Sequence, residues 1–171
     1  KINSKTPGSE AEAFTNFQTA IDKDTALENK IKYINQAAEM AKKMGDRKQQ
    51  ANWLGVAYRM DKNPNQNDLY NYGFAHYQAG NYDSSMNIFC NQYQTKYPNE
   101  IFGYLWCARS AVAKDTTWES GVAVEPYKKL AEMAIKIDSV KYKTQALQAY
   151  SLLAAYYNNV KKDKALAIEN L

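Results

Sequence analysis

The chain has 171 residues, of which 45% are hydrophobic and 23% charged, enough for one sizeable core. Seven Gly, four Pro and a mean hydropathy of −0.66 exclude collagen-like, low-complexity and membrane-embedded chains, and no apolar run approaches the roughly 20 residues that span a bilayer. Twenty-two Lys and Arg against eighteen Asp and Glu leave a net charge of +4, scattered in ones and twos, without the basic face that marks a nucleic-acid binder.

Residues 1–9 form a polar, turn-prone segment that begins with Lys rather than Met, which reads as a processed or trimmed start. Phe14, Phe17 and Ile21 then fall on one face of an amphipathic helix over 10–22, with Ser9 as its cap. Further helices are predicted over 28–43, 46–60, 66–79, 81–95, 100–114, 125–137, 141–158 and 162–171, with no strand. In the second of these, Ile34, Ala37, Ala38 and Ala41 share a face, and Leu54 and Ala57 mark the face of the next helix. The sequence closes at Ala-Ile-Glu-Asn-Leu inside an apolar helical pattern, which predicts that it is part of a longer array.

A period organises these helices. Gly45, Gly80 and Asp115 stand 35 residues apart, each between two helical patterns, and Pro64 and Pro98 stand 34 apart at the ends of the second helices. The clearest unit reads Leu69-x2-Tyr72-Gly73-x2-His76, then Gly80-Asn81-Tyr82, Ser85, Phe89 and Pro98. It resembles the tetratricopeptide repeat, with Gly73, Gly80, Tyr82 and Phe89 in the expected slots and the closing Pro one residue late. Small residues recur at the equivalent close-packing place, Ala38, Gly73, Ala108 and Ala154, where a larger side chain would splay each hairpin.

The resemblance covers roughly residues 28–171 and implies an all-α fold, a right-handed α-α superhelix of tetratricopeptide-like helical hairpins. Residues 10–171 then form one repeat domain, with the helix over 10–22 as its capping element and about four hairpins behind it. It also implies a non-catalytic scaffold that holds a protein or peptide segment on its concave face. The groove residues by that carry-over are Asn35, Glu39 and Lys42, then Tyr70, Phe74 and Tyr77, then Leu105, Arg109 and Val112, and from the fourth hairpin Ser151, Ala155 and Asn158. Tyr70, Phe74 and Tyr77, at i, i+4 and i+7, have the composition of a binding hot spot, with Arg109 as polar selector. The alternative for these rings is the interior of the stack, and the alternative function is a structural subunit that stacks on further repeats or another domain through its C-terminal end. Tyr- and Asn-rich repeats resemble exported bacterial scaffolds, which favours a periplasmic or exported location slightly over a cytoplasmic one.

Chemistry is sparse. His76 is the sole histidine and occupies a slot that a core aromatic fills, so it is read as packed rather than catalytic. No nucleophile elbow, metalloprotease helix or phosphate loop occurs, so the chain is read as no enzyme, with no cofactor. Asp61-x-Asn63-x-Asn65 opens like a calcium loop but has Gln66 and Tyr72 where Gly and Glu are required, so it is read as an Asx-rich turn and no metal is assigned. Cys90 and Cys107 lie level across the turn at Pro98-Asn99. A regular helix turns Cys90 about 100° away from Phe89, so two buried thiols are the favoured reading and a disulfide the alternative. The segment between Lys114 and Pro126 replaces a tight turn with an insertion carrying Trp118, a candidate loop contact.

Overall fold

The computed structural model describes residues 9–171, and the described residues are helices and turns with no strand. The predicted polar segment lies outside them but for Ser9, which begins the first helix and whose proposed cap is likewise outside what is described. The helices are α1 (Ser9–Lys23), α2 (Leu27–Met44), α3 (Arg47–Met60), α4 (Gln66–Gln78), α5 (82–96), α6 (Ile101–Lys114), α7 (Val124–Asp138), α8 (Lys143–Tyr156) and α9 (Lys164–Glu169). All nine predicted segments are helical, with ends within three residues of expectation. Two features were not foreseen: α5 is π-helical over Asn87–Tyr93, and α8 continues as a π-helix over Tyr157–Lys161.

The turns follow from local chemistry. Gly45 closes α2 in the left-handed region at φ 80°, where the N–H of Asp46 reaches Ala41 O at 2.9 Å and that of Gly45 reaches Lys42 O at 3.1 Å. Asp46 then caps α3 by accepting from the N–H of Gln49. The Asp61 to Asn65 stretch is the Asx-rich turn the sequence suggested. The Asn63 N–H donates to Asp61 Oδ1, and Asn65 and Asp68 form a reciprocal capping box at the start of α4.

The described residues divide into two compact units, 9–79 and 80–171. In the first, α1 packs on α2, α2 on α3 and α3 on α4. Its interior is rich in alanine: Ile34, Ala37, Ala38 and Ala41 are the buried face of α2, and Gly73 and Ala75 are buried on α4. Phe14 of α1 stacks on Trp53 of α3 with centroids 6.4 Å apart.

The second unit has a heavier core. Ile101, Tyr104, Leu130 and Leu153 are buried with Ala108, Ala134 and Ala149 between them, so consecutive helices α6, α7 and α8 approach closely. Phe89 and Tyr93 of α5 are 0% and 1% exposed. Ser85 and Ser110 meet in the interior with hydroxyl oxygens 2.8 Å apart. Because the Ser110 hydroxyl donates to Trp106 O at 2.7 Å, Ser85 is the donor of the pair.

Cys90 and Cys107 form a disulfide, with Cα atoms 5.0 Å apart, which corrects the favoured reading of two buried thiols. The expectation failed because it assumed a regular α-helix. In the π-helical stretch, i→i+5 bonding widens the turn, so Ile88, Phe89 and Cys90 diverge less in direction, and Cys90 faces α6 while Phe89 stays in the core.

Candidate functional site

In the first unit a depression lies between α2 and α4 and is floored by α3. One part, about 350 Å³, is lined by Asn35, Glu39 and Lys42 of α2, Arg47 of α3, and Tyr70 and Phe74 of α4. An adjoining part, about 260 Å³, is lined by Asn35, Leu54, Tyr58, Asp61, Asp68 and Asn71. The two share Asn35, Leu54 and Asn71, so they are one groove. Five of the residues expected on this face, Asn35, Glu39, Lys42, Tyr70 and Phe74, therefore come together, and α2 and α4 present them because their small residues face α3.

The charges along the groove are arranged by its ends. Lys42 Nζ lies 3.6 Å from Glu39 Oε2, and Arg47 Nη1 donates to Gln50 Oε1 at 2.9 Å. At the other end Asp61 and Asp68 accept backbone N–H bonds from Asn63 and Asn65. Tyr70 and Phe74 stack with centroids 5.8 Å apart, Phe74 and Tyr77 with centroids 6.3 Å apart, and all three rings are half-buried. Tyr77 does not line the groove. Beneath it His76 is buried against Tyr72, ring centroids 5.0 Å apart. Burial, and then the charge of Arg59, lower its pKa below the ordinary 6.5.

In the second unit the expected residues scatter. Leu105 is 9% exposed and belongs to the core of α6, α7 and α8, which removes it from the candidate set as a solvent-facing side chain. Arg109 lies over the Trp106 ring at 4.9 Å, and Val112 packs against the core. Trp118 is half-buried and stacks on Tyr127 and Tyr156 at 5.4 and 5.8 Å, so the insertion is folded onto its own unit. Asp115 ties the loop by accepting from Ser120 N and Oγ and from Thr117 Oγ1, and the Ser120 bonds hold its carboxyl below the ordinary value. Ser151, Ala155 and Asn158 line a separate apolar depression of about 520 Å³ with Ile168 and Leu171.

Against known proteins, neither the family models nor the curated proteins return a match. Among solved structures the chain is similar to the C-terminal part of a TPR repeat-containing protein from Cytophaga hutchinsonii, at 26% identity and a TM-score of 0.68. The similarity extends over 96% of this chain and 62% of that one. The fold is tetratricopeptide-like. In tetratricopeptide terms α2–α3 and α6–α7 are hairpins, with Ala38 and Ala108 buried at their close-packing places, and Gly73 is buried on α4. Sequence reasoning missed Arg47, Asp61, Asp68 and Asn71 on the groove. Asp61 was read only as part of an Asx-rich turn, Arg47 and Asp68 drew no assignment, and Asn71 sits one position from the aromatic stripe that did.

Proposed function

We propose that the protein is a non-catalytic scaffold that binds an extended protein or peptide segment in the α2–α4 groove. The observation that carries the reading is the continuity of the two depressions through Asn35, Leu54 and Asn71, which gives an open channel with amides at its centre. Each amide offers a donor and an acceptor, the complement of a peptide backbone, and the Tyr70 and Phe74 rings supply apolar wall. Asn35 and Asn71 are exposed, so Asn71→Arg fills the channel without disturbing the interior. A random dodecapeptide library displayed against the full chain is expected to enrich binders. Asn71→Arg should abolish them at unchanged melting temperature and circular dichroism. Binders that survive Asn71→Arg would place recognition elsewhere.

A second reading, a structural subunit that stacks through its C-terminal end, is supported by the apolar depression on α8 and α9, where Ile168 is 70% and Leu171 92% exposed. It predicts that extending the chain past Leu171 raises the melting temperature without any added peptide. The Cys90–Cys107 disulfide supports a periplasmic or exported location, since such bonds persist in oxidising compartments.

A further inference from the structure

The groove of the first unit has two chemically different ends. At one, Asp61 and Asp68 accept hydrogen bonds only from neutral backbone N–H groups, and among the described residues no cation forms an ion pair with either. At the other stand Lys42 and Arg47, with Glu39 cancelling one of the two positive charges. The acidic end lies at the start of α4 and the basic end at the close of α2 and the start of α3. From Asp68 to Gln78, which line the two ends, α4 rises about 15 Å at 1.5 Å per residue. An extended peptide covers that span in about four or five residues.

Resting on the groove reading above, we propose that the occupant is a dipolar extended peptide. Its Lys or Arg side chain meets Asp61 and Asp68, and an Asp or Glu side chain four or five residues away meets Lys42 and Arg47. Asn35 and Asn71 bond the backbone between them. The two ends set the direction in which the segment lies, because reversing it places like charge on like charge at both ends. A uniformly acidic peptide or a nucleic-acid backbone is disfavoured by the two carboxylates, and a uniformly basic one by Lys42 and Arg47.

The test uses the same dodecapeptide selection on the full chain, followed by fluorescence anisotropy of labelled peptides. Enriched peptides are expected to carry a base and an acid four or five residues apart, in one order along the chain. Replacing either charged residue of the peptide by Gln should weaken binding about three- to fivefold, as for a solvated ion pair. The difference should shrink as salt rises from about 50 to about 500 mM. Lys42→Glu combined with Arg47→Glu should switch the preference at that end from acid to base. Should that double variant fail to fold, Asp61→Asn with Asp68→Asn keeps an oxygen acceptor at the turn and the cap and should erase the preference for a base. Peptides that depend on Asn71 but show no charge pattern, or no response to the charge variants, overturn the dipolar occupant and leave the groove reading standing. A selection that enriches nothing overturns both.

Discussion

Two helical glycines, Gly55 and Gly103, distinguish a contact that can give from one that cannot. A Cβ on Gly103 would stand 2.7 Å from Tyr93 Cδ1, closer than real contacts come, and 3.2 Å from Gln94 Cγ, itself a tight contact. Both partners are buried, and Gln94 Nε2 also donates to Gly103 O, so neither has room to retreat. A Cβ on Gly55 would also meet a ring at 2.7 Å, but that atom is Cε2 of the half-buried Tyr72, toward the free end of its side chain. Gly103→Ala should therefore cost about 1–3 kcal/mol through overpacking. At Gly55 the roughly 1 kcal/mol helix-propensity gain of Ala offsets most of the ring's displacement, so Gly55→Ala should melt within a few degrees of the parent. Thermal unfolding of the two variants checks the order, and equal losses would mean that the α5–α6 contact is as pliable as the α3–α4 one. The same scale explains what could be read of the site. Asn35, Glu39, Lys42, Tyr70 and Phe74 follow from position on a repeat, whereas Asp61 and Asp68 have an evident local duty in the turn that hides their place on the groove.

At the level of elements, the nine helices of the described residues were legible because apolar periodicity and turn chemistry agree along most of residues 9–171. The π-helical stretch in α5 was not, because a single inserted residue barely alters a hydrophobic pattern. One signal of it was present: the closing Pro98 stands one residue late for a repeat whose Phe89 is in its proper slot, and Asn87–Tyr93 brackets the region where the extra residue is absorbed. The disulfide depends on that insertion, since the wider turn is what brings Cys90 round to α6. Deleting Gln92 should restore a regular helix and turn Cys90 away, leaving its thiol reactive to a thiol reagent under native conditions and the buried Cys107 thiol reactive only on unfolding. Replacing both cysteines with Ala should lower stability by about 2–4 kcal/mol, the scale of closing a 17-residue separation, while leaving the helical circular dichroism in place. A deletion variant that still forms the bond would separate the disulfide from the π-helix.

Across the molecule, the two units differ in what holds them together. The interior of residues 9–79 is built largely from Ala13, Ala37, Ala38, Ala41, Ala51 and Ala75, with Ile21, Ile34 and Leu69 as its larger members. The interior of residues 80–171 buries Phe89, Tyr93, Tyr104, Tyr127 and Tyr156 together with Ile88, Ile101, Leu130 and Leu153. Since a fully buried large side chain contributes about 1.5–3 kcal/mol and an alanine methyl far less, the second unit has the greater stabilisation per helix. The disulfide adds to it by restricting the unfolded chain. Native-state hydrogen exchange on the intact oxidised chain should therefore show the amides of α2, α3 and α4 opening at lower free energy than those of α6, α7 and the first turns of α8. Reduction should narrow the gap by lowering protection in α5 and α6 first, because those are the helices the bond joins. An alanine-lined unit that opens more readily is also the one that carries the groove, so saturating peptide should raise protection in α2 and α4 by mass action and leave α7 nearly unchanged. Uniform protection across both units, before and after reduction, would mean that the chain unfolds as one cooperative body and that the difference in core composition has no bearing on its opening.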